Sequence, residues 1–236
     1  MPLPTIATPT FELILPSNGK KIKYRPFLVK EEKVLVLALE TGDTSDITRA
    51  MKDVLKGCVM TRGVKIDQLP TFDIEYLFLN IRARSVGETV KVLVNCPDDG
   101  GETQVTAEID ISDIQVVKPK GHSVDIDVDG HYKLRMKYPS LDQFINNNFN
   151  FKDEEQDVFK MVASCIDLVY DDETAYDDFT EKEMVKFLEQ FNSKQFGEIE
   201  KFFDTMPKLS HTFSVTNPNT GVDNKITMEG LSSFFG

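Results

Sequence analysis

The sequence predicts an α+β fold, and three observations carry that expectation. Short β-branched or alternating runs flank turn formers at the start, middle and end of the chain. Segments with helix-favouring residues and apolar positions three and four apart fill the intervals. Thirteen of the seventeen phenylalanines lie at or beyond Phe144, mostly at helical spacing, which marks a second helical stretch.

In chain order, residues 1–10 carry Pro2, Pro4 and Pro9 and read as an extended arm, because proline supplies no amide donor. Residues 11–87 read as a mainly helical unit. It opens with Phe11 to Leu15 and Lys21 to Arg25 around Pro16-Ser17-Asn18-Gly19, a hairpin signal that Pro26 closes. Leu28 to Glu40 predicts a helix, and its run from Val34 to Leu39 is apolar on every side, so burial on more than one face is expected. Gly42 stops that helix, and Asp43 to Ser45 caps a second, with Ile47, Ala50, Met51, Val54, Leu55 and Cys58 on its packed face. Pro70 and Thr71 start a third, ending near Gly87.

Residues 88–138 form a middle β region. Thr89 to Asn95 and Thr103 to Ile111 make one hairpin, and Ser123 to Val128 and His131 to Met136 another, with Asp129-Gly130 as a two-residue turn. Residues 139–208 read as a helical unit with capping-box spacing at Ser140/Gln143 and Thr180/Glu183. Its acidic stretch from Asp171 to Asp178 is expected as an exposed loop between helices. Residues 209–236 close the chain as a β-hairpin and tail.

A net charge of −12 and a pI near 4.8 disfavour a general nucleic-acid binder, since phosphate binding rests on Lys and Arg displacing counterions. The short basic runs at Lys20 to Arg25 and Arg82/Arg84 read as solvated faces. Three distant cysteines, Cys58, Cys96 and Cys165, argue against a disulfide framework and for a reducing compartment. No apolar run approaches the ~20 residues that cross a bilayer, and Met1 to Thr5 lacks a basic signal segment, so a soluble protein made in the cytosol is expected.

Candidate chemistry is sparse. Cys96-Pro97-Asp98-Asp99-Gly100 has the shape of half a zinc knuckle, and Asn217-Pro218-Asn219-Thr220-Gly221 repeats its frame. One cysteine between two such turns cannot supply four ligands, so no zinc is expected. Asp125-x-Asp127-x-Asp129-Gly130 resembles the start of a calcium loop, but position twelve would be Met136, and alternating Asp is what a solvated strand face looks like. His122, His131 and His211 are isolated, and no nucleophile elbow, P-loop or dinucleotide fingerprint occurs. No catalytic residue, cofactor or metal ligand is assigned.

Three segments carry a resemblance. LPSNGKKIKYRPFLVKEEKVLVLALE (Leu15 to Glu40), FDIEYLFLNIRARSVGE (Phe72 to Glu88) and the closing NPNTGVDNKITMEGLSSFF are similar to the baseplate hub protein family of T4-like contractile-tailed phages. The resemblance implies a non-enzymatic protein acting in baseplate and tail assembly, as a hub subunit or as an assembly chaperone. It implies other hub proteins and the tape-measure protein as partners, with no membrane and no direct nucleic acid. It places the protein in the host cytoplasm during assembly and in the virion tail baseplate. The family-like segments make Arg25, Phe27, Leu28, Phe72, Tyr76, Phe78, Arg82 and Arg84 the candidate partner contacts. The competing readings are a metal-dependent or cysteine enzyme, and an acidic nucleic-acid mimic built on the Asp171 to Asp178 cluster.

Overall fold

A computed structural model of the chain describes residues 6–140, 143 and 155–234. Residues 1–5 of the expected arm, and the phenylalanines at 144, 149, 151 and 235, lie outside the described residues. The chain divides into two compact units. The first takes the residues up to Ile66, Phe72–Val117 and Lys208 onward, and the second takes Asp67–Thr71 and Lys118–Pro207. The described structure mixes helices with small antiparallel sheets, an α+β architecture.

The first unit begins with β1 (Phe11–Ile14) and β2 (Lys21–Tyr24), paired antiparallel from Phe11↔Tyr24 to Ile14↔Lys21. Lys21 and Lys23 face outward while Ile22 and Tyr24 are buried, so this basic run is a solvated strand face. The turn between the strands is tied down by Asp73. That fully buried carboxylate accepts from the Ser17 amide at 3.0 Å and from the Ser17 hydroxyl, and burial raises its pKa.

Helices α1 (Val29–Thr41) and α2 (Thr44–Cys58) follow as an antiparallel-type helical hairpin, joined at Gly42 and Asp43. Gly42 takes the left-handed conformation at φ 67° that ends a helix, and the Asp43 side chain accepts from the Ser45 and Asp46 amides. In α2 the predicted face is the packed one, with Ala50, Val54, Leu55 and Cys58 buried. The expectation for α1 is corrected. Only Glu31 and Ala38 are buried, with Leu35 half-buried between them, whereas Val29, Val34, Val36, Leu37 and Leu39 are exposed. One stripe meets the fold, and among the described residues nothing covers the other sides.

The helix that is buried nearly all round is α3 (Thr71–Ser85), where Phe72, Asp73, Ile74, Leu77, Phe78, Leu79 and Ile81 are enclosed. β3 (Thr89–Asn95) and β4 (Gln104–Asp110) pair along their full length and turn Val90, Val92, Val94, Ala107 and Ile109 inward. β5 (Gln115–Val117) joins the edge of β10 (Lys208–Thr216), which pairs on its other side with β11 (Asp223–Glu229).

The second unit holds a four-stranded sheet in the order β6 (Asp125–Asp127), β7 (Lys133–Met136), β8 (Ile166–Tyr170), β9 (Ala175–Tyr176). The two strands β8 and β9 correct the expected helical reading of residues 166–176. Their short apolar run, Ile166, Leu168 and Val169, suits either element, and pairing with β7 decides it. The acidic residues Asp171 to Glu173 form the β8–β9 turn, in which the Asp171 side chain accepts from the Glu173 and Thr174 amides. The β6–β7 connection is also wider than the two-residue turn expected. Val128 N–H bonds the Tyr132 carbonyl at 2.9 Å, leaving Asp129, Gly130 and His131 at the tip.

Against this sheet pack α4 (Glu155–Ser164), α5 (Glu181–Leu188) and α6 (Ser193–Asp204). Leu134, Ile166, Met184, Leu188, Ile199 and Phe202 form the core, and Phe187, Phe191 and Phe203 lie partly buried against it. The phenylalanine stripes are therefore core. The capping boxes at Ser140/Gln143 and Thr180/Glu183 are both formed.

Candidate functional site

Two surfaces of the first unit stand out: the uncovered sides of α1, and a pair of turns that grip each other. The start of α1 is fixed by an ion pair. Glu31 accepts from the Leu28 amide at 2.8 Å and from Arg25 at 2.8 Å, and Arg25 also donates to the Pro26 carbonyl. Burial opposes ionisation of Glu31, but these hydrogen bonds outweigh it and hold its pKa below the usual value. Phe27 is buried, and its amide donates to Ser85 at the end of α3.

From that anchor the helix presents two apolar flanks. Val29, Val36 and Leu39 share one, by spacings of seven and three, and Val34 and Leu37 share the other. Leu37 and Leu39 are 52% and 60% exposed, one on each flank.

Of the candidate contacts, Leu28 is exposed at the start of this surface. Arg25 is occupied by Glu31, while Phe27, Phe72 and Phe78 are buried and Tyr76 and Arg82 are half-buried. Arg84 is exposed, pairs with Glu88 and lies 5.0 Å from the Phe11 ring centre. The first of the segments that carry the resemblance thus supplies the anchor of α1 and Leu28 at the start of its exposed surface.

The second feature joins the turns that share the x-Pro-x-x-Gly frame. Pro97–Asp99 forms a 3₁₀ turn ending at Gly100 with φ 76°, and Gly221 ends the other turn at φ 73°. Proline and a left-handed glycine account for both reversals. Asn217, fully buried, donates to Asp98 at 2.9 Å and to Asp99 at 3.0 Å. Asn224 donates to Asp98 at 2.7 Å and accepts from its amide, Thr220 donates to Asp98, and Asn219 donates to Thr103.

Thr103 and Asn217 hold the Asp99 carboxyl down at about 2, against a usual 3.8. A depressed carboxyl contributes stability above its unfolded value, and that contribution is lost as pH falls from 3.8 towards about 2. By NMR, the Asp99 carboxyl carbon is expected to titrate with a midpoint of about 2, and Asn217→Ala to move it back towards 3.8. An Asp99 midpoint unmoved by that substitution would contradict the geometry.

The cysteine and metal readings meet the structure as follows. Cys58, Cys96 and Cys165 are all free and buried. Burial pushes Cys58 and Cys165 up to about 11, and burial with Asp98 and Asp99 raises Cys96. No thiol should be alkylated by iodoacetamide at neutral pH in the folded chain, and all three should react in denaturant. Fast labelling of any one while folded would reopen a nucleophile.

Among the described residues, no group of three or more His, Cys, Asp or Glu is placed to hold a metal ion. The Asp series resembling a calcium loop is otherwise engaged: Asp125 with Arg135 and Tyr170, Asp127 with the Gly130 amide, Asp129 with the His131 and Tyr132 amides. These residues line a cleft of about 620 Å³ in the second unit, with Lys194, Glu198 and Lys201 across it. His122 is buried in the same unit, bonded to Thr205 and Tyr138 and packed on Phe202, a core position. No described helix is long and apolar enough to cross a membrane.

Comparison with curated proteins and with solved structures gives no match. A family model described as T4 bacteriophage base plate protein matches residues 8–236, which spans both compact units, the α1 surface and the paired turns. By that match the chain belongs to the T4 bacteriophage base plate protein family.

Proposed function

We propose that this chain is a non-enzymatic structural subunit of the baseplate hub, and that it binds other hub proteins through the uncovered flanks of α1. The observation that carries this reading is the exposure of five apolar residues on one regular helix, held in place by a half-buried ion pair at its start. Isolated exposed leucines are ordinary, but five exposed aliphatic side chains on a thirteen-residue helix, divided between two flanks, are an excess of uncovered apolar surface of the kind found at protein docking sites. Leu28 extends it at the helix start, where Arg25 fixes Glu31 and the buried Phe27 anchors the entering chain, whereas Phe72, Tyr76, Phe78, Arg82 and Arg84 lie on α3.

An assembly chaperone for hub or tape-measure proteins would use the same surface reversibly and then leave. Quantitative mass spectrometry of purified virions beside tail-assembly intermediates from infected cells separates the two roles. A fixed copy number in both, in ratio to hub proteins, is the expected result. Presence in the intermediates with loss from virions overturns the subunit role in favour of the chaperone. Absence from both overturns each.

A further inference from the structure

We infer that the turns at Cys96–Gly100 and Asn217–Gly221 are a zinc-knuckle pair in which a hydrogen-bonded carboxylate clasp occupies the place of the metal. Three observations on the first unit carry this. First, both turns have the same x-Pro-x-x-Gly frame, sit at the tips of antiparallel hairpins β3–β4 and β10–β11, and end in a left-handed glycine. Second, the first positions of the two frames, Cys96 and Asn217, are each fully buried although Pro97, Asp98, Pro218 and Asn219 around them are exposed. Third, three of the four positions a knuckle uses for its ligands, Asp99, Asn217 and Thr220, take part in hydrogen bonds between the two turns. Asn217, first in its frame, reaches Asp99, fourth in the other, and Thr220, fourth in its frame, reaches Asp98.

The first and fourth positions of the second frame, Asn217 and Thr220, meet at one centre on the first turn. That centre is the Asp98 carboxylate, which takes donors from Asn217, Thr220 and Asn224. A metal in a knuckle pair does the same work with four thiolates, tying two hairpins that would each be marginal alone. The clasp thus makes the junction independent of metal supply and of thiol oxidation state.

The test restores the ligands. A variant carrying Asp99→Cys, Asn217→Cys and Thr220→Cys beside the native Cys96, with Asp98→Ala to clear the centre, is titrated with Co²⁺ under reducing conditions. The expected result is one cobalt per chain, with the intense visible absorption of a tetrahedral thiolate site and recovery or retention of the near-ultraviolet circular dichroism of the natural chain. The natural chain at the same concentrations should show no such absorption. Because the clasp is removed, the variant without metal is free to unfold, so the titration is followed by both signals. Failure to bind, whether the chain is folded or not, overturns the inference. So does cobalt bound without the folded signal, and so does a thiolate-type cobalt site in the natural chain.

Discussion

Replacing Val36 and Leu39 together by lysine is expected to abolish incorporation of the chain into baseplates while leaving its folding intact. Both side chains stand on the same flank of α1, three residues apart, and are about half-exposed or more. No core contact is therefore removed, and exposed substitutions of this kind change stability by about 0.5 kcal/mol or less. Lysine is chosen over aspartate for a physical reason. Leu39 lies in the last turn of the helix, where a cation meets the carbonyl end of the helix dipole favourably and an anion does not. The last turn of α1 carries no basic residue at present, so the change is neutral or mildly stabilising for the free chain.

In a complex the same change is severe. Each new ammonium must be desolvated against an apolar partner, and the lost aliphatic contact adds to that cost. Central apolar anchors are each worth about 2 kcal/mol or more, and every 1.4 kcal/mol is tenfold in affinity. The double variant should thus lose on the order of a hundredfold or more in binding. The check is recovery of the tagged variant from purified baseplates, beside its thermal unfolding curve. Normal incorporation would remove this flank of α1 from the interface, and Leu37→Lys on the opposite flank would then be the decisive variant.

How much of this could be read from the residues depends on the range of the interactions. Hairpins at Pro16–Gly19 and around Asn217–Gly221, and the caps at Asp43, Thr180 and Asn192, rest on neighbours a few residues apart, and local chemistry revealed all but the last. The apolar periodicity of Met184, Leu188, Ile199 and Phe202 identified a core face correctly, because charged residues mark the opposite side of those helices. α1 failed that test for the same reason. With Val, Leu and Ala on every side, its sequence holds no mark of which stripe meets the fold, and burial was the natural inference.

Arg25 shows the converse. Its place in a basic run within a family-like segment makes it a candidate contact, yet Glu31, six residues on, takes it. The clasp was the least legible feature. Asp98 and Asn217 are separated by more than a hundred residues, and only the repeated frame of the two turns hinted that they belong together.

Leu77→Ala should do the opposite of the α1 variant: destabilise the chain strongly and leave partner binding unchanged wherever the chain remains folded. Leu77 is fully buried in α3, as are Leu79, Ile81 and, within 1%, Ile74 on the same helix. Removing its isobutyl group forfeits the transfer free energy of the buried carbons and leaves a cavity that a helix packed on nearly every side cannot collapse around. Such changes cost about 2–5 kcal/mol, a large share of the 5–15 kcal/mol that typically holds a domain together. Urea unfolding should show an earlier midpoint for the first unit, and a loss below about 1 kcal/mol would mean that α3 is not its centre. The binding measurement then separates two roles for α3. If folded Leu77→Ala enters baseplates normally, the helix acts only as part of the core of the first unit. If it is excluded while still folded, α3 itself, through Tyr76 or Arg82, touches the partner, and the interface extends beyond α1.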